Sequence, residues 1–238
     1  MAEYYESLGG IIRYNSEVKR VIVENNRATG VELKNGLKLS SDWVVSSTAA
    51  EHCLKKLLGG AYKVDKMEKR WADRKTYPIY TMTIAAFKCK KELTQEEFPV
   101  GLHGMFRRPI RVDKDYPGVA IRNYSYDPTL RCPDGCSVVQ AQLIGDDDMY
   151  FWWKARKEDG TYKAEKERVA RELIERICER YPQLEGMLEP IDVVTPMTYE
   201  RYLNTRHGSF QGFVHTATGK ALMQKGTVPG LKAVSYTH

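Results

Sequence analysis

Ala28-Thr-Gly-Val-Glu-Leu-Lys-Asn-Gly-Leu-Lys-Leu-Ser-Ser-Asp-Trp-Val-Val-Ser-Ser-Thr48 carries the reading that decides the fold class. Asn35-Gly36, set between runs of alternating character, is the strongest short-range hairpin signal. Upstream, Val18, Val21 and Val23 lead into a polar turn at Asn25-Asn26-Arg27. Downstream, Leu37 and Leu39 alternate with lysine and serine, and Trp43-Val44-Val45 reads as a last, buried strand. Ile11 to Tyr14 adds a short apolar run after Gly9-Gly10. The first fifty residues therefore read as a β-meander ending in an apolar strand.

Ser46-Ser47-Thr48 follows that strand and admits two readings. The hydroxyls can cap a helix starting near Ala49. Alternatively, a strand end feeding a helix N-terminus is where cofactors sit in α/β folds. Beyond it, residues 50 to 75 read as helix in two pieces broken at Gly59-Gly60, and Tyr80 to Phe87 as a strand. Residues 99 to 118, with Pro99, Gly101, Gly104, Pro109, Pro117 and Gly118, read as loop-rich. Val119 to Tyr126 and Val138 to Ile144 are two more strands. Tyr162 to Tyr181 is the clearest element: Val169, Leu173, Ile177 and Tyr181 recur every fourth residue, and Pro182 stops the helix. Ile191 to Val194 reads as a strand, Tyr199-Glu-Arg-Tyr202 as a polar aromatic loop, and Gly208-Ser-Phe-Gln-Gly212-Phe213 as a small-residue loop. The pattern defines an α+β chain.

The 238 residues are 42% hydrophobic and 29% charged, with 37 basic residues against 31 acidic ones and a net charge of +6. Fifteen tyrosines, 6 phenylalanines and 4 tryptophans exclude a disordered or low-complexity chain. No apolar run approaches the roughly 18 residues of a membrane span, and no secretory signal opens the sequence. The charges alternate in sign along the chain, which argues against nucleic acid as a partner. Five cysteines form no regular framework. Cys132 and Cys136 lack the second pair of ligands that a zinc site needs, while Cys53, Cys89 and Cys178 lie in apolar-periodic segments. This usage points to a reducing, cytoplasmic compartment.

No two glycines are separated by a single residue, so the glycine fingerprint of dinucleotide binding is absent. So are the phosphate loop, the paired-histidine zinc motif and the nucleophile elbow. Asp146-Asp147-Asp148 lacks the alternation of a calcium loop and reads as a solvated turn. The histidines, at 52, 103, 207, 215 and 238, show no metal-ligand spacing. No metal is expected.

The ordered segments nonetheless form a recognisable set. They run from Gly9-Gly10 through Val18 to Val23, then Arg27-Ala-Thr-Gly30-Val-Glu-Leu33, Gly36 and Ser41-Asp-Trp43-Val-Val-Ser-Ser47. Tyr124-Ser-Tyr-Asp127-Pro128, Trp153, Tyr162 to Lys166 and Tyr181-Pro182 continue the set. Thr195-Pro-Met-Thr-Tyr199-Glu-Arg-Tyr202, Gly208-Ser209 with Gly212-Phe213, and Pro229-Gly230-Leu231-Lys232 complete it. Over residues 3 to 232 the chain resembles the flavoprotein family of phytoene desaturases, which includes carotenoid isomerases, retinol saturase-like proteins and more distant amine oxidases. Its C-terminal half is most similar to bacterial members of unassigned substrate.

The resemblance implies an internal fragment of a larger enzyme with a truncated FAD/NAD(P)-binding-type fold. Residues 1–50 would be part of the FAD domain, 51–200 a mixed-sheet substrate domain, and 201–233 a return towards the cofactor. Residues 234–238 look like an adapter-derived tail. The complete enzyme would bind FAD and move hydride to or from a carbon–carbon bond of an apolar, polyene-like or lipid-like substrate, a class that admits peripheral contact with a membrane. By resemblance, Val18 would offer its backbone to the adenine, while Ser47 and Thr48 would face the flavin side. Gly208, Ser209 and Gly212 would form a loop approaching the flavin ring. Phe106, Tyr124 and Trp152 would line the substrate pocket, although for each of them core packing is the alternative. No catalytic residue is assigned. Because the glycine cradle is missing, the isolated chain is expected not to hold FAD tightly. The rival reading is a cofactor-free module binding an apolar small molecule.

Overall fold

The structure is a computed structural model that describes residues 1–98, 101–127, 129, 135–214, 216, 219 and 226–236, with the side chains of 102, 103 and 236 left out. The chain divides into two compact units, Met1–Lys69 with Leu222–His238, and Arg70–Ala221. The sequence placed this first boundary at residue 50.

In the first unit a short helix α1 (Ala2–Ser7) precedes the meander of β1 (Val18–Glu24), β2 (Arg27–Leu33) and β3 (Lys38–Ser40). The sheet order is β1-β2-β3. Asn25 and Asn26 both take left-handed backbone, with φ of 49° and 57°, between the paired Glu24 and Arg27. Asparagine tolerates that region, and such a two-residue turn matches the twist of the strands it joins. At the second hairpin Gly36 has φ +89° and Asn35 Oδ1 accepts the Leu37 N–H at 3.0 Å. Residues 11–14 belong to no strand, and Ile11 and Tyr14 are exposed.

Glu32 anchors the β1–β2 pair. Its carboxylate accepts Lys19 Nζ at 2.9 Å and Arg20 Nη2 at 2.7 Å. These hydrogen bonds, first from Lys19 and then from Arg20, hold the Glu32 carboxyl below the usual range. A depressed carboxyl contributes stability above its unfolded value that is lost as pH falls through its folded value. Acidification below about pH 4.5 should therefore raise amide exchange in β1 and β2, and Glu32→Gln should flatten that dependence. An unaltered acid profile in the variant would contradict this role.

Strand β4 (Val44–Ser46) pairs in parallel with Val234–Tyr236. The expected buried strand is thus formed, but Trp43 and Val45 are 64% and 69% exposed. Among the described residues only one strand neighbours β4, and Ser46, not Val45, faces the interior. The residues read as a tail thus supply the partner strand. Helix α2 (Ala50–His52) runs into a π-helical turn, Cys53–Leu57, and α3 (Asp65–Ala72) follows beyond Gly59-Gly60. Ala28, Leu33, Cys53, Leu54, Val228 and Leu231 are among the buried residues of this unit.

The second unit is built on a five-stranded sheet. It comprises β5 (Thr81–Cys89), β6 (Gly101–Arg111), β7 (Asp115–Asn123), β8 (Ser137–Gly145) and β9 (Leu188–Val194), in the order β6-β7-β8-β5-β9. Three helices join it: α4 (Asp147–Glu158), α5 (Tyr162–Arg180) and α6 (Pro196–Leu203). Residues 101–118, read as loop, are mostly strand. The prolines mislead because β6 is an edge strand whose pairing is irregular between Met105 and Ile110, where Pro109 lies. Pro117 precedes the stretch of β7 that pairs with β8, so no ladder donor is lost there.

The aspartate run is not a solvated turn. Asp146 caps α4 by accepting the Asp148 N–H at 3.0 Å, and Asp147 is only 1% exposed. Tyr199–Tyr202 is likewise helix rather than loop, started by the Thr195/Thr198 capping box with Pro196 in the first turn. No helix among the described residues is long and apolar enough to cross a membrane.

Candidate functional site

Strands alternate their side chains between two faces, and in the second unit the faces differ sharply. Thr83, Ala85 and Phe87 of β5, with Val139, Ala141 and Leu143 of β8 and Ile121 of β7, are buried to 1% or less. Beneath them Val169, Leu173 and Ile177 of α5 complete the core, together with Met149 and Trp153 of α4. Trp153 Nε1 donates to Thr83 Oγ1 at 2.8 Å, which fixes α4 on this face.

The opposite face is half-buried on β5 and β8, while on β7 Ala120 is buried and Arg122 exposed. It presents Met82, Ile84 and Ala86 from β5, Val138, Gln140 and Gln142 from β8, and Ala120 and Arg122 from β7. Register aligns these into two cross-strand rows, Ala86–Gln140–Arg122 and Ile84–Gln142–Ala120. Tyr124, just past β7, donates its hydroxyl to Gln140 Oε1 at 2.9 Å, and its ring lies 6.4 Å from that of Tyr126. Next to it, Ser125 Oγ is buried with no hydrogen-bond partner among the described residues. An aliphatic surface carrying two amides, a phenol and a guanidinium at its margin suits an elongated apolar ligand oriented by a few polar contacts. The sequence named Tyr124. It missed Gln140, Gln142 and Ile84, although two glutamines set two apart in an otherwise apolar strand marked that register.

Phe106 and Trp152 do not join this face: both pack against the helix-side core, Trp152 edge-on to Trp153 at 4.9 Å. In the loop after α6, Gly208 has φ +66°, and a Cβ there would lie 1.9 Å from the Pro196 carbonyl oxygen. Ser209 is buried and its Oγ accepts the Gly212 N–H at 2.9 Å, while Gly212, with φ +92°, accepts the Tyr80 N–H at 2.8 Å. Main-chain bonds of Phe210 and Val214 to Tyr80 and Pro78 hold this loop beside the start of β5.

In the first unit Val18 opens the edge strand β1, paired to Leu33 on one side only. Ser47 is exposed, and Thr48 shares a 2.9 Å hydrogen bond with Ser46. Neither caps α2, whose N-cap is Ala49 without a side-chain bond. An edge backbone and a free hydroxyl fit part of a dinucleotide. The glycine cradle for a pyrophosphate is not in this chain. The free cysteines Cys53 and Cys89 are buried, and burial pushes the Cys53 thiol up, which leaves it un-ionised. Cys136 is disulfide-bonded. Among the described residues no cluster could hold a metal ion.

The chain thus combines an antiparallel sheet with helices on one face and, adjoining in sequence, a β-meander unit. The solved structure of an oxidoreductase from Methanosarcina mazei matches it with a TM-score of 0.52 at 14% identity, covering 82% of this chain and 40% of that one. No family model matches the chain. Among curated proteins, the lycopene-forming phytoene desaturase of a Paracoccus strain is 25% identical over 220 residues, 88% of this chain and 42% of that protein. The chloroplastic prolycopene isomerase of Daucus carota is 24% identical over 220 residues, 90% of this chain and 34% of that protein. The chain is thus similar to carotenoid desaturases and isomerases over most of its length, as its residues indicated. It spans less than half of the length of either relative.

Proposed function

We propose that this chain is the substrate-binding part, with a portion of the cofactor-binding part, of an FAD-dependent oxidoreductase acting on a carbon–carbon bond of an apolar, polyene-like substrate. The observation that carries the reading is the open face of the five-stranded sheet. Ile84, Ala86 and Val138 seat hydrocarbon and exclude water, while Gln140, Gln142 and Tyr124 set its orientation through hydrogen bonds. When bound, a flavin supplies hydride transfer to or from carbon. Similarity to proteins named as phytoene desaturase and prolycopene isomerase supports the substrate class.

A polypeptide of the relatives' full length carrying Ile84→Asp should bind phytoene at least tenfold more weakly, about 1.4 kcal/mol. A carboxylate on this face would have to be desolvated against hydrocarbon. Thermal stability should hold, because Ile84 faces away from the helix-side core. Unchanged phytoene affinity in the folded variant would contradict the assignment of this face.

A further inference from the structure

A second polar cluster lies where α4 begins and the loop after α6 returns. Asp147 is 1% exposed and both its oxygens are engaged: Oδ2 accepts the Ile79 N–H at 2.8 Å, and Oδ1 lies 2.6 Å from His207 Nδ1. The imidazole stacks on Tyr150, centroids 4.9 Å apart at 25°, and meets the edge of Phe151 at 4.9 Å. His207 itself has left-handed backbone, φ +48°, directly before Gly208. For a residue with a Cβ this backbone is strained, and such outliers persist where the surroundings fix a side chain in place. Sixty residues separate the two partners, so no spacing rule could have joined them.

The chemistry follows from the free nitrogen. A carboxylate at Nδ1 accepts a hydrogen bond from its N–H, which fixes the neutral ring as the Nδ1–H tautomer and leaves Nε2 a bare acceptor. Nε2 has no partner among the described residues, and the side chain is 19% exposed. The neighbouring charges sum to a negative excess. Asp148 pairs with Arg74 at 2.9 Å, Glu200 accepts the Tyr150 hydroxyl at 2.9 Å, and Arg74 Nε stands 3.8 Å from Asp147. Three carboxylates against one guanidinium disfavour an anion. Phe151, 38% exposed, stands beside the ring, with the Arg74 guanidinium 4.5 Å from its centroid and the rest of its edge accessible.

We propose that Asp147 and His207 form a binding site for a neutral, hydroxyl-bearing ligand with an apolar body. The ligand O–H donates to Nε2, Asp147 positions the ring, and Phe151 packs against the hydrocarbon. This site shares no residue with the open sheet face and does not rest on the flavin reading.

The test uses the whole 238-residue chain, imidazole nitrogen-15 spectra at alkaline pH, and benzyl alcohol as probe, with toluene as its hydroxyl-free counterpart. His207 should resonate as the Nδ1–H tautomer, and benzyl alcohol should shift Nε2 saturably while toluene leaves it unmoved. Asp147→Asn, whose amide can donate to Nδ1, should move the proton to Nε2 and abolish the response. His207→Asn tolerates the left-handed backbone and should stay folded and lose the alcohol. An Nε2–H tautomer in the wild type, equal shifts from alcohol and toluene, no shift at all, or unchanged alcohol binding by His207→Asn would each overturn the proposal.

Discussion

Replacing Trp153 with alanine should cost the Arg70–Ala221 unit about 3–5 kcal/mol, the range for deleting a fully buried aromatic. Trp153 is 0% exposed, and its indole fills the space between β5 and α5. It meets the Tyr162 ring edge-on at 5.4 Å and donates to Thr83 Oγ1 at 2.8 Å. The alanine variant loses apolar burial, leaves a cavity and strips Thr83 of its donor at once. Thr83→Val isolates the last of these: it keeps the volume but leaves the indole N–H buried without an acceptor, a loss of about 1–3 kcal/mol. Amide exchange of the β5 and β8 core in the whole chain reads both. A Trp153→Ala loss smaller than that of Thr83→Val would show that the indole does not hold the sheet to its helices.

Gly208→Val should be the most damaging change in the loop after α6. Its Cβ would lie 1.9 Å from the Pro196 carbonyl oxygen, an overlap with backbone that no rotamer relieves. The left-handed φ of +66° adds its own penalty. Together these should cost about 3 kcal/mol or more. At Gly212 no atom lies within 4 Å of an added Cβ, so valine there meets only the backbone penalty of about 1–2 kcal/mol. Denaturation of the two variants side by side should separate them clearly. If the proposed activity holds, Gly208→Val in a polypeptide of the relatives' length should also lower turnover, because the loop would leave its main-chain pairing with Pro78 and Tyr80. Equal stabilities would mean that the loop moves aside freely.

Local chemistry accounts for what could be read in advance. Period-2 runs, asparagine and glycine turns, and the four-residue stripe of Val169, Leu173 and Ile177 express rules that act within a few residues, and the corresponding strands, hairpins and helix are all present. The misreadings came from tertiary context. Pro109 and Gly104 look like loop until an edge strand with irregular pairing accommodates them. Asp147 looks solvated until His207 and the Ile79 amide neutralise its burial. Trp43 and Val45 look buried because apolarity was taken as burial, whereas which face of a strand is covered depends on neighbours distant in sequence. At the site, Tyr124 was legible as one aromatic of the expected substrate pocket. Its acceptor Gln140 and the rows that flank it follow only from strand register.

The visible absorption spectrum of this sequence at the full length of its relatives tests the central claim most directly. An FAD-dependent oxidoreductase should purify yellow, with one flavin per chain that is released as FAD on denaturation, whereas the 238-residue chain alone, lacking the glycine cradle, should retain no stoichiometric flavin through gel filtration. A colourless full-length protein that takes up no FAD when it is supplied would contradict the account.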